Sequence, residues 1–273
     1  MPSDTQPDKK QTSSAQDRAD TTTRFGSRML ATEDNVFEHN AWDHVEWSEE
    51  QEQLAQEKIA LQQANPVPHD EQGKYHQDAA DYWNQFYQKN ENRFFKDRHW
   101  LRIEFPELFD RPANQTHRFN VLENHPNYDP SRGQAFVWDL ASANLPKEIE
   151  PHSLDVVILV FVFSALHPDH WDQAVANLEA LLRPGGMILF RDYGRHDLAQ
   201  LRFKKQRLLA DNFYIRGDGT RVYFFTNDEI EKIFGTLFAV KQNAVDKRLI
   251  VNRHKKLKMY RVWLQGKFQK PFA

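Results

Sequence analysis

LDVVILVFVFSALHPDHWDQAVANLEALLRPGGMILFRDYG, residues 154–194, decides the fold. Its opening run, residues 154–164, is almost wholly aliphatic, β-branched or aromatic, as in a central strand buried on both faces. Trp171, Ala174, Val175, Leu178, Leu181 and Leu182 then recur at helical spacing, which predicts a helix over residues 169–183 with these side chains inward. Pro184-Gly185-Gly186 is a stop-and-turn signal, and MILFR (residues 187–191) follows at once as another strand. Strand, helix, strand with short links is the unit of a parallel α/β sheet with right-handed crossovers.

Working outward, QAFVWDL (residues 134–140) reads as a short strand ending in Asp139. Residues 197–209 and 227–234 read as helices, and 238–242 and 258–268 as strands. The last alternates Tyr260, Val262 and Leu264 with charged neighbours, as a half-exposed antiparallel edge would. Toward the N-terminus, residues 1–24 are polar and read as a disordered tail. Ser48 before Glu49, Glu50 and Gln51 resembles a helix cap, with the helix running to about Gln63 and Asn65-Pro66-Val67-Pro68 ending it. Tyr75, Ala79, Tyr82, Trp83, Phe86 and Tyr87 share a broad face of a helix predicted over residues 72–89, and residues 101–109 read as a short helix broken at Pro106. The division is a tail (1–24), a helical region (25–109) and an α/β region (110–273).

Ligands in such sheets sit at the carboxyl ends of the strands. Asp139 ends one strand, residues 160–167 end the next, and Asp192 and Tyr193 follow the third. Each acid alone is as readily a capping or turn aspartate. Three polar strand ends on one sheet edge point to a site.

Composition removes other classes. The chain has no cysteine, which excludes disulfides, Cys-ligated zinc and thiol catalysis. Residues 156–166, the longest apolar run, are far too short for a membrane span. The N-terminus has no apolar core of a signal peptide, and Asp4, Asp8, Asp17 and Asp20 argue against a mitochondrial address, so a cytoplasmic protein without membrane contact is expected. The 12 histidines show no metal-ligand spacing; His39, His99 and His167 read as hydrogen-bonding loop residues. Residues 191–273 carry 19 Lys/Arg against 8 Asp/Glu on an otherwise acidic chain. That asymmetry fits either a localised anionic partner or a solvated basic face.

LLRPGG with RDYG after the two strands resembles the later part of a class I S-adenosylmethionine-dependent methyltransferase. The likeness narrows with FGSR (25–28), HNAWDHVEW (39–47), YWNQFY (82–87), FFKDRHW (94–100), FPEL (105–108), VFVFSALHP (160–168), QLRFKK (200–205) and NFYIRGDGTRVYFF (212–225). In this order they resemble the tRNA N3-methylcytidine methyltransferases, as does VNRHKKLKMYRVWLQGKFQKP (251–271), and the N-terminal motifs resemble the threonine/arginine-tRNA branch. The resemblance covers residues 25–271. It implies a Rossmann-like sheet with helices on both faces and a helical N-terminal extension, S-adenosyl-L-methionine as cofactor, the tRNA anticodon arm as substrate and an accessory protein as a further partner. It implies that Trp83 and Tyr87 close over the cofactor, an aromatic lid suited to a sulfonium cation. Asp139 would accept from the adenine amino group, Leu140 would lie beside the ring, and Val160 would line the pocket. Phe95, Lys96, Arg98, His99, Arg191, Tyr193, Arg216 and Arg221 would surround the flipped-out base. Arg202, Lys204, Lys205, Arg207, Arg253, Lys255, Lys256 and Lys258 would meet phosphates. Cytosine N3 already bears an in-plane lone pair, so alignment with the methyl group is the main requirement. The product base is cationic, and Asp192 is the candidate carboxylate to stabilise it, with a capping or RNA-loop role as the alternative.

One part of the pattern is missing. Class I methyltransferases begin with strand, glycine-rich loop, helix, strand and a ribose-binding acid. Residues 110–133 (DRPANQTHRFNVLENHPNYDPSRG) hold neither that loop nor room for it. Two strands and two helices need roughly twice this length, and about 40 residues are missing near Arg118-Phe119 on ordinary element sizes. The chain has only 10 glycines in 273 residues, about half the usual roughly 7%. The first strands are therefore expected to be absent, the hydrophobic strand at residues 154–164 to have an open edge, and much of the cofactor site to be lost. A non-catalytic tRNA-binding chain, and a methyltransferase acting on another RNA or on protein, are the competing readings.

Overall fold

The computed structural model describes residues 28–30, 35–90, 101, 104–108 and 133–272. The N-terminal part holds strand β1 (Ala41–Trp42) and helix α1 (Glu49–Gln63). Ser48 caps α1 by accepting from the Gln51 N–H, and Glu49, Glu50 and Glu52 sit in its first turn, where the helix dipole favours acids. Where periodicity predicts one further helix there are two, α2 (His69–Gln77) and α3 (Ala79–Asn90), broken at Asp78 with φ −96° and ψ 19°. The break lets Tyr75 of α2 pack on the main core while Phe86 is buried on α3.

The deciding stretch keeps its strand–helix–strand order with different bounds, the second strand starting at Leu182 and running through Pro184-Gly185-Gly186, where the sequence reads as a turn. Strand β2 (Leu154–Val160), helix α4 (Trp171–Leu181) and strand β3 (Leu182–Tyr193) form a parallel crossover unit. Beyond them come the short helix α5 (Leu198–Leu201), strands β4 (Leu208–Ala210), β5 (Phe213–Ile215) and β6 (Arg221–Tyr223), helix α6 (Asn227–Gly235), and the long strands β7 (Ala239–Asn252) and β8 (Leu257–Gln269). The main sheet runs β1-β7-β8-β3-β2, with β8 antiparallel to both neighbours; β4-β5-β6 make a second, three-stranded sheet.

Four expectations are corrected. β8 is an interior strand rather than an edge: two of its charged residues are paired, Arg261 with Asp197 and Lys267 with Glu107, so charge at those positions does not mean solvent. The helix expected over residues 197–209 stops after one turn, and the chain turns into β4. β2 ends at Val160, because Phe161 adopts a left-handed φ of 55° and the chain turns there. Residues 134–140 form no strand, and Val137 is 103% exposed. A strand needs a ladder partner, and β2 is the terminal strand of the described sheet. Asn177 Nδ2 of α4 instead donates to the carbonyls of Leu140 and Ser142 at the segment's end, both at 2.8 Å. The open edge expected for the hydrophobic strand is present among the described residues. Only Leu159 of β2 is fully buried.

Helices α4 and α6 pack on one face of the sheet over Phe163, Phe190, Phe225, Phe234 and Phe268, with Phe234 and Phe268 stacked at 4.5 Å. A reciprocal cap between Thr226 and Glu229 starts α6. The opposite face carries charge. Arg191 bonds Asp246 and Gln265, and Arg248 reaches both Asp246 and Glu104. Each charge is thus paired, the condition on which buried ions are tolerated.

Candidate functional site

Asp192 and Tyr193 stand at the carboxyl end of β3, as the alternation of the strand dictates. Asp192 points into the core and is wholly buried, with Oδ2 accepting from the Ser164 N–H at 2.9 Å and Oδ1 from the Tyr193 N–H at 2.8 Å. Burial pushes its carboxyl up to about 6, opposed by hydrogen bonds from Ser164 and Tyr193 and by the charge of Arg216. With both oxygens committed, Asp192 clamps the exit loop of β2 onto β3.

Tyr193 faces outward into an aromatic cluster. Its ring lies 4.7 Å from Phe161 and 5.6 Å from Phe224. The Arg216 guanidinium sits 5.6 Å from the Tyr193 ring and 5.8 Å from that of Trp83. Trp83 stacks on Tyr87 at 5.9 Å, and burial raises the Tyr87 hydroxyl above its ordinary value, with Arg216 opposing. Arg216 opens the turn to β6, and Gly219 in that turn has φ 84° and lies flat under the Tyr82 ring, so a Cβ there would collide with it. A glycine in a left-handed turn thus seats α3 and brings Trp83 and Tyr87 to the strand ends.

A second group adjoins this one. Arg221 of β6 is buried, lies 5.8 Å from the Phe213 ring and donates to the Ala165 carbonyl at 3.4 Å. Burial lowers its pKa, and the charge of Asp139 counteracts this. Asp139 is exposed and accepts from the Ala141 N–H at 3.0 Å, while Leu140 packs against the main core. His76 and His167 meet edge to face at 4.8 Å beside Phe213. Nothing in the sequence pattern paired these two histidines, because the break at Asp78 that aims α2 was not legible.

Of the expected site residues, Trp83, Tyr87, Tyr193 and Arg216 come together, with Asp192 behind them. Asp139, Leu140 and Arg221 lie in the neighbouring group, and Val160 is half-buried at the end of β2. Arg191 does not join them. It lies on the face of β3 opposite Asp192, where Asp246 and Gln265 hold its guanidinium. Phe95, Lys96, Arg98 and His99 fall outside the described residues. The basic residues expected to meet phosphates lie at two places, the segment 202–207 after α5 and the turn between β7 and β8, where Lys256 lies over Phe37 at 4.7 Å.

The sheet order and the polar, aromatic carboxyl ends of β2 and β3 define a class I methyltransferase. A family model described as "Methyltransferase domain" matches residues 45–237. The chain is 47% identical over 308 aligned positions to the tRNA N(3)-methylcytidine methyltransferase trm140 of Schizosaccharomyces pombe, covering 98% of this chain and 100% of the relative. It is 41% identical over 318 positions to the tRNA N(3)-cytidine methyltransferase METTL2 of Danio rerio, covering 92% and 90%. It is 42% identical over 287 positions to the tRNA(Thr) (cytosine(32)-N(3))-methyltransferase of Saccharomyces cerevisiae, covering 90% of this chain and 46% of that one. The chain belongs to the tRNA N3-methylcytidine methyltransferase family, whose cofactor is S-adenosyl-L-methionine. An alignment of 308 positions cannot be filled by 273 residues, so the S. pombe relative carries residues that this chain lacks.

The described residues do not complete a cradle for that cofactor. Asp139 and Leu140 offer an acceptor and an apolar surface suited to an adenine. The backbone N–H groups that a glycine-rich loop would bring close have no counterpart, since the sequence holds no glycine between Gly73 and Gly133. The Arg216 guanidinium also lies against the Trp83 face, where a sulfonium would meet cation with cation.

Proposed function

We propose that this chain acts on tRNA in the cytoplasm, at the cytidine N3 that gives its family its name, and that its own residues supply the base-binding half of the site. The observation that carries this reading is the cluster of Trp83, Tyr87, Tyr193 and Arg216 at the carboxyl end of β3. Flat aromatic faces hold an unstacked base, and a guanidinium donates in plane to its carbonyl edge. Tyr193 and Trp83 fix the base plane. Arg216 orients its edge, and Asp192 holds Ser164 and the exit loop of β2 so that the wall does not shift. No proton must leave N3 before it reacts, so these residues need only align it and exclude water. Among the described residues no helix is long and apolar enough to cross a membrane.

A second reading is favoured by one observation, the absent glycine-rich loop: the chain binds tRNA without transferring a methyl group, alone or with an accessory protein. Titration calorimetry with S-adenosylmethionine, together with mass spectrometry of tRNA nucleosides after incubation, separates the two. Binding and new N3-methylcytidine support transfer. RNA binding with neither supports the second reading, and no RNA binding defeats both.

A further inference from the structure

A cavity of about 300 Å³ lies away from the strand ends just described, lined by His44, Val45, Glu46 and Trp47, by Glu52 of α1, and by Val245 and Lys247 of β7. Two of its ring nitrogens, His44 Nε2 and Trp47 Nε1, are buried without a hydrogen-bond partner, as is Nε2 of His196, whose ring stacks on Trp47 at 6.2 Å. Tyr260 meets Trp47 edge-on at 5.6 Å, and the Lys247 ammonium lies over the same indole at 5.6 Å. A buried polar atom without a partner costs about 1–3 kcal/mol, so three gathered in one place mark a surface built to be completed. His44 and His196 hold left-handed backbones, φ 54° and 68°, a further local cost of the kind that collects at binding sites.

We infer that this cavity receives a second unstacked nucleobase of the RNA, distinct from the target base; the inference rests on the reading that the chain binds tRNA. The chemistry favours a base over other occupants. Aromatic rings supply an apolar wall, the orphaned nitrogens supply edge contacts, and Glu46 and Glu52 accept from an exocyclic amine. Two carboxylates against one ammonium exclude a phosphate or carboxylate as the inserted group, so an amino-bearing base, adenine or cytosine, fits. The location follows from the chain. His196 lies three residues beyond Tyr193, a span of at most about 11 Å. The cavity is therefore within reach of a nucleotide near the target on the same single strand.

The test is fluorescence anisotropy of the full chain with a tRNA anticodon-arm hairpin carrying one abasic position at a time. Besides the target cytidine, one more loop position is expected to weaken binding about five- to tenfold when its base is removed. In His44→Asn, which retains a residue tolerant of left-handed backbone, and in Trp47→Phe, which keeps a ring but deletes the N–H, that second sensitivity disappears and the first remains. An unchanged abasic profile in both variants overturns the pocket while leaving RNA binding standing. Loss of binding to a lysine-rich peptide with an unchanged RNA profile overturns it in favour of a protein side chain. A wild-type chain that does not bind the hairpin overturns the underlying reading and the pocket with it.

Discussion

The two sides of the main sheet are made of similar residues and end differently. On one side, β8 is laddered to β3 over residues 187–193 and to β7 along nearly all of its length, with Ile188, Leu189 and Phe190 wholly buried and every charge of the Arg191–Asp246–Arg248–Glu104 group paired. On the other, β2 is a terminal strand of half-buried valines, and the equally apolar FVWDL at residues 136–140 forms no strand. β-propensity is fit to a neighbour, not a property of the segment alone. Where the neighbour exists, even charged residues are drawn into the sheet. Where it does not, valine and tryptophan lie outside it.

If this comparison is right, the largest stability loss comes from the well-built side. Asp246 is 1% exposed and accepts from both Arg191 and Arg248. Asp246→Ala removes the shared carboxylate from the buried Arg191 and the half-buried Arg248 and is expected to cost about 3–5 kcal/mol, read as a lower urea midpoint at unchanged slope. A loss below about 1 kcal/mol would break the comparison, since the ion group would then be ornamental to the sheet.

The next effect lies where the lid meets the strand ends. Gly219→Val forces a β-branched residue into φ 84° and into the Tyr82 ring. About 1–3 kcal/mol of strain is expected. The more telling readout is RNA affinity, because displacing α3 separates Trp83 from Arg216 while the sheet behind remains. Weaker hairpin binding with retained near-ultraviolet circular dichroism sharpens the contrast between a rigid base and a seated lid. Unchanged binding would detach α3 from the site.

What the sequence made legible follows the same line. Residues 154–194 carry their own neighbours, so strand, helix and strand are legible locally, and the Ser48 cap is written within three residues of the helix it starts. β8 was misread because its partners lie elsewhere in the chain: Asp197 for Arg261, Glu107 for Lys267. The family motif puts Arg191 beside the base, yet its guanidinium is held by Asp246 and Gln265, partners that lie far along the chain. Residues 134–140 depart from their reading for the opposite reason, since their composition suits a strand and the described residues offer no partner for one. The cavity at Trp47 was invisible, because His44, His196 and Lys247 come from three separate parts of the chain.

A smaller effect is expected from acid at the β2 exit. Burial, chiefly, and the charge of Arg221 lower the pKa of His76. Burial likewise lowers that of His167, where Asp169 opposes and His76, Arg221 and His170 add to the lowering. A histidine with a depressed folded pKa binds fewer protons folded than unfolded. Its contribution is complete above the ordinary value near 6.5 and declines as pH falls below it. Amides of α2 should therefore lose hydrogen-exchange protection several-fold between pH 7.5 and 5, and His76→Phe, which keeps a ring beside Phe213, should flatten that loss. Equal acid sensitivity in the variant would move the cause to other groups.

The smallest expected effect is the sharpest control on the comparison. Val137 is 103% exposed and stands in a segment that has no ladder partner among the described residues. Val137→Thr replaces a methyl by a hydroxyl at constant shape, which in a packed strand between helices would bury an unsatisfied donor and cost about 1–3 kcal/mol. On an open surface the same exchange is expected to stay within about 0.5 kcal/mol. The two figures are far enough apart for one urea titration to separate them. A cost above about 1 kcal/mol would mean that residues 134–140 are packed against something, and the two sides of the sheet would then differ in their partner's identity rather than in having one.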